Sequence, residues 1–130
     1  MSQIKIIPVN DFPSIYESDR GASYIVDLLC DLAKVIDGDI IVIAQKIISK
    51  VEGRSVKISD VKPSETALQL AKEVNKDPRL VELILSESIR IVRSAPGVLI
   101  VETHHGFICA NAGVDRSNVF GEDVFLKLPE

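Results

Sequence analysis

The chain has 130 residues, of which 46% are hydrophobic and 26% charged, with a formal net charge of -4. That length suits one domain with a sizeable core, and the composition excludes disorder for the bulk of it. The acidic balance argues against coating nucleic acid or anionic membrane, and two cysteines, Cys30 and Cys109, are too few for a disulfide scaffold or a four-cysteine zinc site.

In chain order, the apolar residues Ile4, Ile6 and Ile7 predict a short strand, with Pro8 marking it as an edge strand or ending it. Residues 10–21 read as a loop. Ile25, Leu28, Leu29, Leu32, Ala33 and Ile36 recur at helical spacing, which predicts an amphipathic helix over 22–36, stopped by Asp37-Gly38-Asp39. Ile40 to Ala44 is a β-branched run of the kind that forms a strand buried on both faces. Gln45 to Ser49 either continues that strand or turns into a short helix. Residues 51–54 turn, and 55–58 alternate like an exposed strand.

Ser64 is a candidate N-cap for a helix bearing Ala67, Leu70, Ala71 and Val74 on one face. Asp77-Pro78 is a cap followed by proline at the first helical position. The helix it opens is expected to carry Leu80, Leu83, Ile84, Leu85 and Ile91, widened by Val81 and Ile89, and to be packed on two sides. Glu87 interrupts its apolar face and reads as a boundary residue rather than a partner of Arg90. Ala95-Pro96-Gly97 breaks the chain. Strands are expected at 98–101 and 107–110, a polar loop at 111–118, and a last apolar run at 124–126. The order of elements implies a layered α/β or α+β domain. With no apolar run approaching the roughly 18 residues of a membrane helix, and no leader-like opening, the expectation is a cytoplasmic protein.

The loop from Asn111 to Asn118 holds the densest set of polar groups. Asp115 offers a hard oxygen suited to Mg2+ or Mn2+, and Asn118 could face the same way. The competing reading is a polar turn held by its own Asp and Asn side chains. Gln45, Lys46, Ser49 and Lys50 follow the Ile40–Ala44 run, where lysines could neutralise phosphate oxygens or simply form a solvated surface. The sequence contains neither GxxxxGK[ST] nor GxGxxG, so a nucleotide site would be of another kind. His104 and His105 are adjacent, a spacing that sends strand side chains to opposite faces and disfavours a shared metal. Cys30 and Cys109 read as buried structural thiols.

Three blocks carry a wider similarity: Gly38 to Arg54 (GDIIVIAQKIISKVEGR), Asp77 to Ser88 (DPRLVELILSES) and Thr103 to Asn118 (THHGFICANAGVDRSN). In order, and over nearly the whole chain, they resemble the coenzyme F-420 γ-glutamyl ligases. The resemblance implies a mixed sheet with packed helices. It also implies an activity that joins L-glutamate to the deazaflavin coenzyme precursor with GTP and Mg2+ or Mn2+, K+ being a further candidate cation. An acyl phosphate forms first, and the glutamate amine then displaces phosphate. By resemblance, Asp115 is a metal ligand and Asn118 a nucleotide contact. Gln45, Lys46 and Lys50 line the GTP phosphates, and the loop Phe12, Pro13, Ser14, Ile15 matches a nucleotide-contacting loop. If the strand ahead of Lys46 and Lys50 and the strand ahead of Asp115 are neighbours, these residues form one set.

Family members are longer, and their second half carries an Asp-Thr pair and a Gln that complete the metal site. Residues 1–130 therefore resemble the N-terminal half alone, with the C-terminal half absent. Little or no ligase activity is expected of the chain by itself. Its expected partners are the coenzyme precursor, L-glutamate, and a second copy or a complementing C-terminal half, with no nucleic acid and no membrane. The alternative is a non-catalytic nucleotide-binding or assembly module of the same fold.

Overall fold

The structure, a computed structural model, describes residues 4–15, 21–116 and 123–130. In chain order these form α1 (Gly21–Leu32), α2 (Gln45–Val51), β1 (Ser55–Lys57), α3 (Glu65–Val74), α4 (Pro78–Ser86), β2 (Ser88–Ala95), β3 (Val98–Thr103), β4 (Ile108–Ala110), β5 (Asp115–Arg116) and β6 (Val124–Leu126). The class is α+β. The strands make two three-stranded sheets, ordered β1-β6-β5 and β2-β3-β4, and every pairing is antiparallel.

Helices α3 and α4 start where local chemistry tells them to. The Ser64 hydroxyl accepts from Ala67 N–H, and the Asp77 carboxylate accepts from Arg79 N–H ahead of Pro78. Asn75 closes α3 in the left-handed conformation (φ 53°), and Lys76 N–H then donates to Ala71 C=O. Ala67, Leu70, Ala71 and Val74 of α3 pack with Val81, Leu83 and Ile84 of α4 against Leu99 and Val101 of β3. This is the main core. A second cluster gathers Ile15, Ile25 and Leu29, with Phe12, Ile43, Ile47 and Val51 packed on it. The β2–β3 hairpin turns at Pro96-Gly97. Gly97 adopts φ +80°, and its N–H donates to Val74 C=O at 2.7 Å, tying the hairpin tip to the end of α3.

Four sequence expectations need correction. The strand expected near Ile4–Ile7 is not formed, and those residues lie exposed. The run Ile40–Ala44 forms no strand among the described residues, and Ile40, Ile41 and Val42 are exposed rather than buried. A strand is defined by its ladder partner, and apolar composition does not supply one. The first helix ends at Leu32 rather than Ile36. The helix opened by Pro78 ends at Ser86, and Ile89 and Ile91 belong to β2. There the Ser88 hydroxyl donates to Ile84 C=O, a side-chain bond that competes with helix continuation. Register shifts around Ile89 and Val92 then turn those residues outward. The polar loop after β4 contains a short 3-10 turn, Asn111–Gly113, and the two-residue strand β5.

Candidate functional site

Two elements far apart in sequence deliver the charges of the site. Lys46 is the second residue of α2. Its position is set by Ile47, which packs into the second cluster beside Ile15 and Ile43. Asp115 opens β5 and is held opposite Leu126 on β6, whose side chain is fully buried. The Lys46 Nζ lies 2.7 Å from Asp115 Oδ2 and 3.4 Å from Arg116 C=O. Lys46 is half-buried and Asp115 exposed, so a ligand can reach both. The hydrogen bond from Lys46 is the main cause holding the Asp115 carboxyl below its ordinary value, against an opposing effect of burial. Next to it, Arg116 donates to Asp123.

The backbone ahead of Asp115 is unusual. Asn111 and Ala112 both have φ 53° and Gly113 has φ 68°, three consecutive left-handed residues of which two carry a Cβ. Such residues cost on the order of 1–2 kcal/mol each and persist only where packing holds them. Ala112 is fully buried, and a Cβ built on Gly113 would lie 2.7 Å from the Leu128 side chain. The Asn111 Oδ1 is buried without a hydrogen-bond partner among the described residues.

The remaining sequence-predicted residues distribute as follows. Gln45 Nε2 donates to the buried Ser49 Oγ at 3.2 Å, so its amide is engaged within α2. Lys50 lies one turn beyond Lys46 on the same helix and is half-buried. In the loop 12–15, Phe12 and Ile15 turn into the second cluster while Pro13 and Ser14 are exposed. That cluster also holds Ile47, so the loop and Lys46 share one support. Asn118 lies outside the described residues. The structure thus brings Lys46 and Asp115 into contact, through a helix and a short strand rather than two neighbouring strands.

His104 and His105 do not converge: His104 Nε2 sits 3.2 Å from Ser86 C=O, and the His105 ring stacks on Phe107 at 5.9 Å. Cys30 is exposed on α1 and Cys109 is half-buried, so neither is the fully buried thiol expected; Cys30 lies on the outer side of the helix stripe. Among the described residues no three His, Cys, Asp or Glu side chains gather as a metal cage. Asp115 supplies a carboxylate whose Oδ2 is engaged by Lys46, and a divalent cation bound there would need further ligands such as phosphate oxygens and water.

A separate ion network escaped sequence reasoning. Glu87, at the end of α4, accepts from Arg54 Nη2 and pairs with Lys127 Nζ, both at 2.7 Å. Arg54 also donates to Leu128 C=O and to Glu130. Glu87 is thus a paired residue rather than a boundary one. Its partners are Arg54 and Lys127, and Arg90 pairs instead with Glu102. The signal available was a carboxylate interrupting an apolar face; its partners, 33 and 40 residues away, carried no local mark.

Residues 10–130 match the family model described as F420-0:Gamma-glutamyl ligase. The chain is 45% identical over 117 residues to a coenzyme F420:L-glutamate ligase of Methanothermobacter thermautotrophicus, covering 89% of this chain and 46% of that protein. It is 47% identical over 95 residues to the like-named protein of Methanocaldococcus jannaschii (72% and 38% covered). To that of Methanosarcina mazei it is 36% identical over 127 residues (98% and 47% covered). The chain spans about half the length, or less, of these curated relatives.

Proposed function

The chain belongs to the F420-0:gamma-glutamyl ligase family, and from that premise we propose that it is the nucleotide-handling part of a GTP-dependent ligase. The reaction would add L-glutamate to the deazaflavin coenzyme precursor. The γ-phosphoryl group of GTP passes to a carboxylate of the precursor, giving an acyl phosphate and GDP. The amine of L-glutamate then attacks the acyl carbon, an amide forms, and phosphate leaves with the C–O bond electrons while the amine gives up a proton.

The observation that carries this reading is the Lys46–Asp115 contact at 2.7 Å. Phosphoryl transfer asks the protein for positioning and for cations against the phosphate oxygens. Lys46 is such a cation, and the contact with Asp115 aims it. A phosphate oxygen entering the site would compete with Asp115 for the ammonium. Lys50, the Phe12–Ile15 loop and Asn118 are proposed to complete the nucleotide contacts, with Gln45 bracing α2 through Ser49. A divalent cation would find one carboxylate at Asp115, with phosphate oxygens and water among its other ligands and further carboxylates proposed to come from outside the described residues. The chain alone is therefore proposed to turn over little or nothing, working with a complementing half or as a dimer in the cytoplasm.

Equilibrium binding of GTP to the intact chain and to Lys46→Met tests this. The reading expects binding by the parent and a loss of about tenfold or more in K46M, the scale of one charge-assisted phosphate contact. Equal binding by the two proteins, or none by the parent, would contradict it.

A further inference from the structure

We propose that Arg54 and Leu128 are positioning residues of the Lys46–Asp115 site, and that together they grip the left-handed turn that aims Asp115. The proposal rests on the reading above, that this pair handles nucleotide phosphates. The turn Asn111–Gly113 leads through Val114 into Asp115, so its backbone direction sets where the carboxylate points. One backbone bond, Val114 N–H to Asn111 C=O at 2.9 Å, closes it. An asparagine in a turn commonly adds a bond from its own side-chain oxygen, but the Asn111 Oδ1 has no hydrogen-bond partner among the described residues. Consecutive left-handed residues are therefore held here by packing, and the packing comes from two sides. Ala112 is fully buried in the main core. On the other side stands Leu128, whose Cδ2 lies 2.7 Å from where a Gly113 Cβ would sit.

The sheet and Arg54 place Leu128 there. Leu126 of β6 lies between Ser55 of β1 and Asp115 of β5. Continued along these antiparallel registers, Lys127 comes opposite Arg54, and its N–H donates to Arg54 C=O at 3.0 Å. Leu128 comes opposite Gly113. The Arg54 guanidinium, 15% exposed, donates through Nε to Leu128 C=O at 2.9 Å and is itself fixed by Glu87 at 2.7 Å. Arg54 N–H also donates to Ser49 C=O at 2.8 Å, near the end of α2, the helix that carries Lys46. One residue thus ties both partners of the pair: Lys46 through α2, and Asp115 through Leu128 and Gly113. Neither Arg54 nor Leu128 has to touch a ligand. The 2.7 Å contact between Lys46 and Asp115 tolerates little displacement, because charge-assisted hydrogen bonds weaken steeply with distance and angle.

Two measurements test the proposal: GTP affinity of the parent, Leu128→Ala, Arg54→Lys and Gly113→Ala, each with and without Lys46→Met, and the Lys46–Asp115 separation in crystal structures of the parent and L128A. Truncating Leu128 frees the turn. Lysine at 54 cannot hold Leu128 C=O and Glu87 in one fork, and a methyl on Gly113 collides with Leu128. Each variant should weaken GTP binding by about three- to tenfold, up to the loss in K46M. With Lys46 already replaced, each should add less than about twofold, since effects at independent sites combine in full while effects routed through one contact do not. Ser64→Ala, which lowers stability elsewhere, should leave GTP affinity unchanged at a temperature where every protein is folded. In L128A the pair should open beyond the roughly 4 Å that defines an ion pair. If L128A does not fold, G113A, which removes no packing, takes its place in the crystallographic comparison. A pair still closed in that comparison, losses equal in size with and without K46M, or affinity indifferent to all the variants would overturn the proposal. No GTP binding by the parent, with the pair opening in L128A, would leave the positioning residues standing and remove the nucleotide reading. GTP binding by the parent, with the pair intact in L128A, would do the reverse.

Discussion

Replacing Glu87 by Gln should destabilise the chain more than any other single neutralisation of an acidic side chain among the described ion pairs. The carboxylate is 13% exposed and faces two cations, Arg54 and Lys127, each at 2.7 Å. Glutamine keeps the shape and removes the charge, leaving two poorly solvated cations close together. Breaking a fully buried pair costs about 3–5 kcal/mol. Some water reaches this network, and Arg54 keeps Leu128 C=O and Glu130 as acceptors. The expected loss is therefore roughly 2–3 kcal/mol, below that range. In urea unfolding, a slope of about 1–3 kcal/mol/M turns this into a midpoint lower by about 0.7–3 M. Glu130→Gln is the control. Glu130 also pairs with Arg54 but is 81% exposed, and exposed pairs contribute about 0–1 kcal/mol. A Glu87→Gln midpoint no lower than that of Glu130→Gln would refute the argument that burial gives this network its weight.

Ser64→Ala should lower stability by about 1 kcal/mol, read by the same unfolding assay, because it removes the α3 cap and the hydroxyl donated to Glu82. The Glu82 carboxyl, held below its ordinary value first by that hydroxyl, should rise in the same variant, which a carboxyl NMR titration would detect. Asp115 should titrate below the usual 3.8 in the parent and return towards it in Lys46→Met. A depressed folded-state value means the Lys46–Asp115 contribution is complete above the unfolded carboxyl's pKa and fades as pH falls through the folded one. An unchanged Asp115 titration in K46M would show that the pair does not persist in solution.

Helix starts were readable because their causes are local. Ser64 and Asp77-Pro78 act within three residues of themselves, and both caps form as expected. The end of α4 was not readable, since Ile89 and Ile91 fit a helical stripe and a strand alternation equally well. What decides between them is the Ser88 hydroxyl on Ile84 C=O and the pull of Arg54 and Lys127 on Glu87. The run Ile40–Ala44 reads as a strand buried on both faces yet forms none among the described residues, because partnership is a non-local property that β-branching cannot announce. At the candidate site, Lys46 and Asp115 were each marked by the chemistry of their neighbourhoods and by the family resemblance. Their contact spans 69 residues and depends on Ile47 anchoring α2 and on β6 holding β5 in register. The left-handed turn at Asn111–Gly113 gave one sequence hint, its glycine, while the strain at Ala112 is visible only once packing is known.

Formation of the glutamylated precursor, followed by mass spectrometry with GTP, Mn2+, L-glutamate and the deazaflavin precursor supplied, puts the whole reading to the test. The intact chain alone should yield essentially no product. Co-expressed with the unmatched portion of the Methanothermobacter ligase it should yield product, and that yield should collapse when Lys46 is replaced by Met. Robust product from the chain alone, or undiminished product from the complex bearing K46M, would contradict the assignment of Lys46 and Asp115 to half of a shared catalytic site.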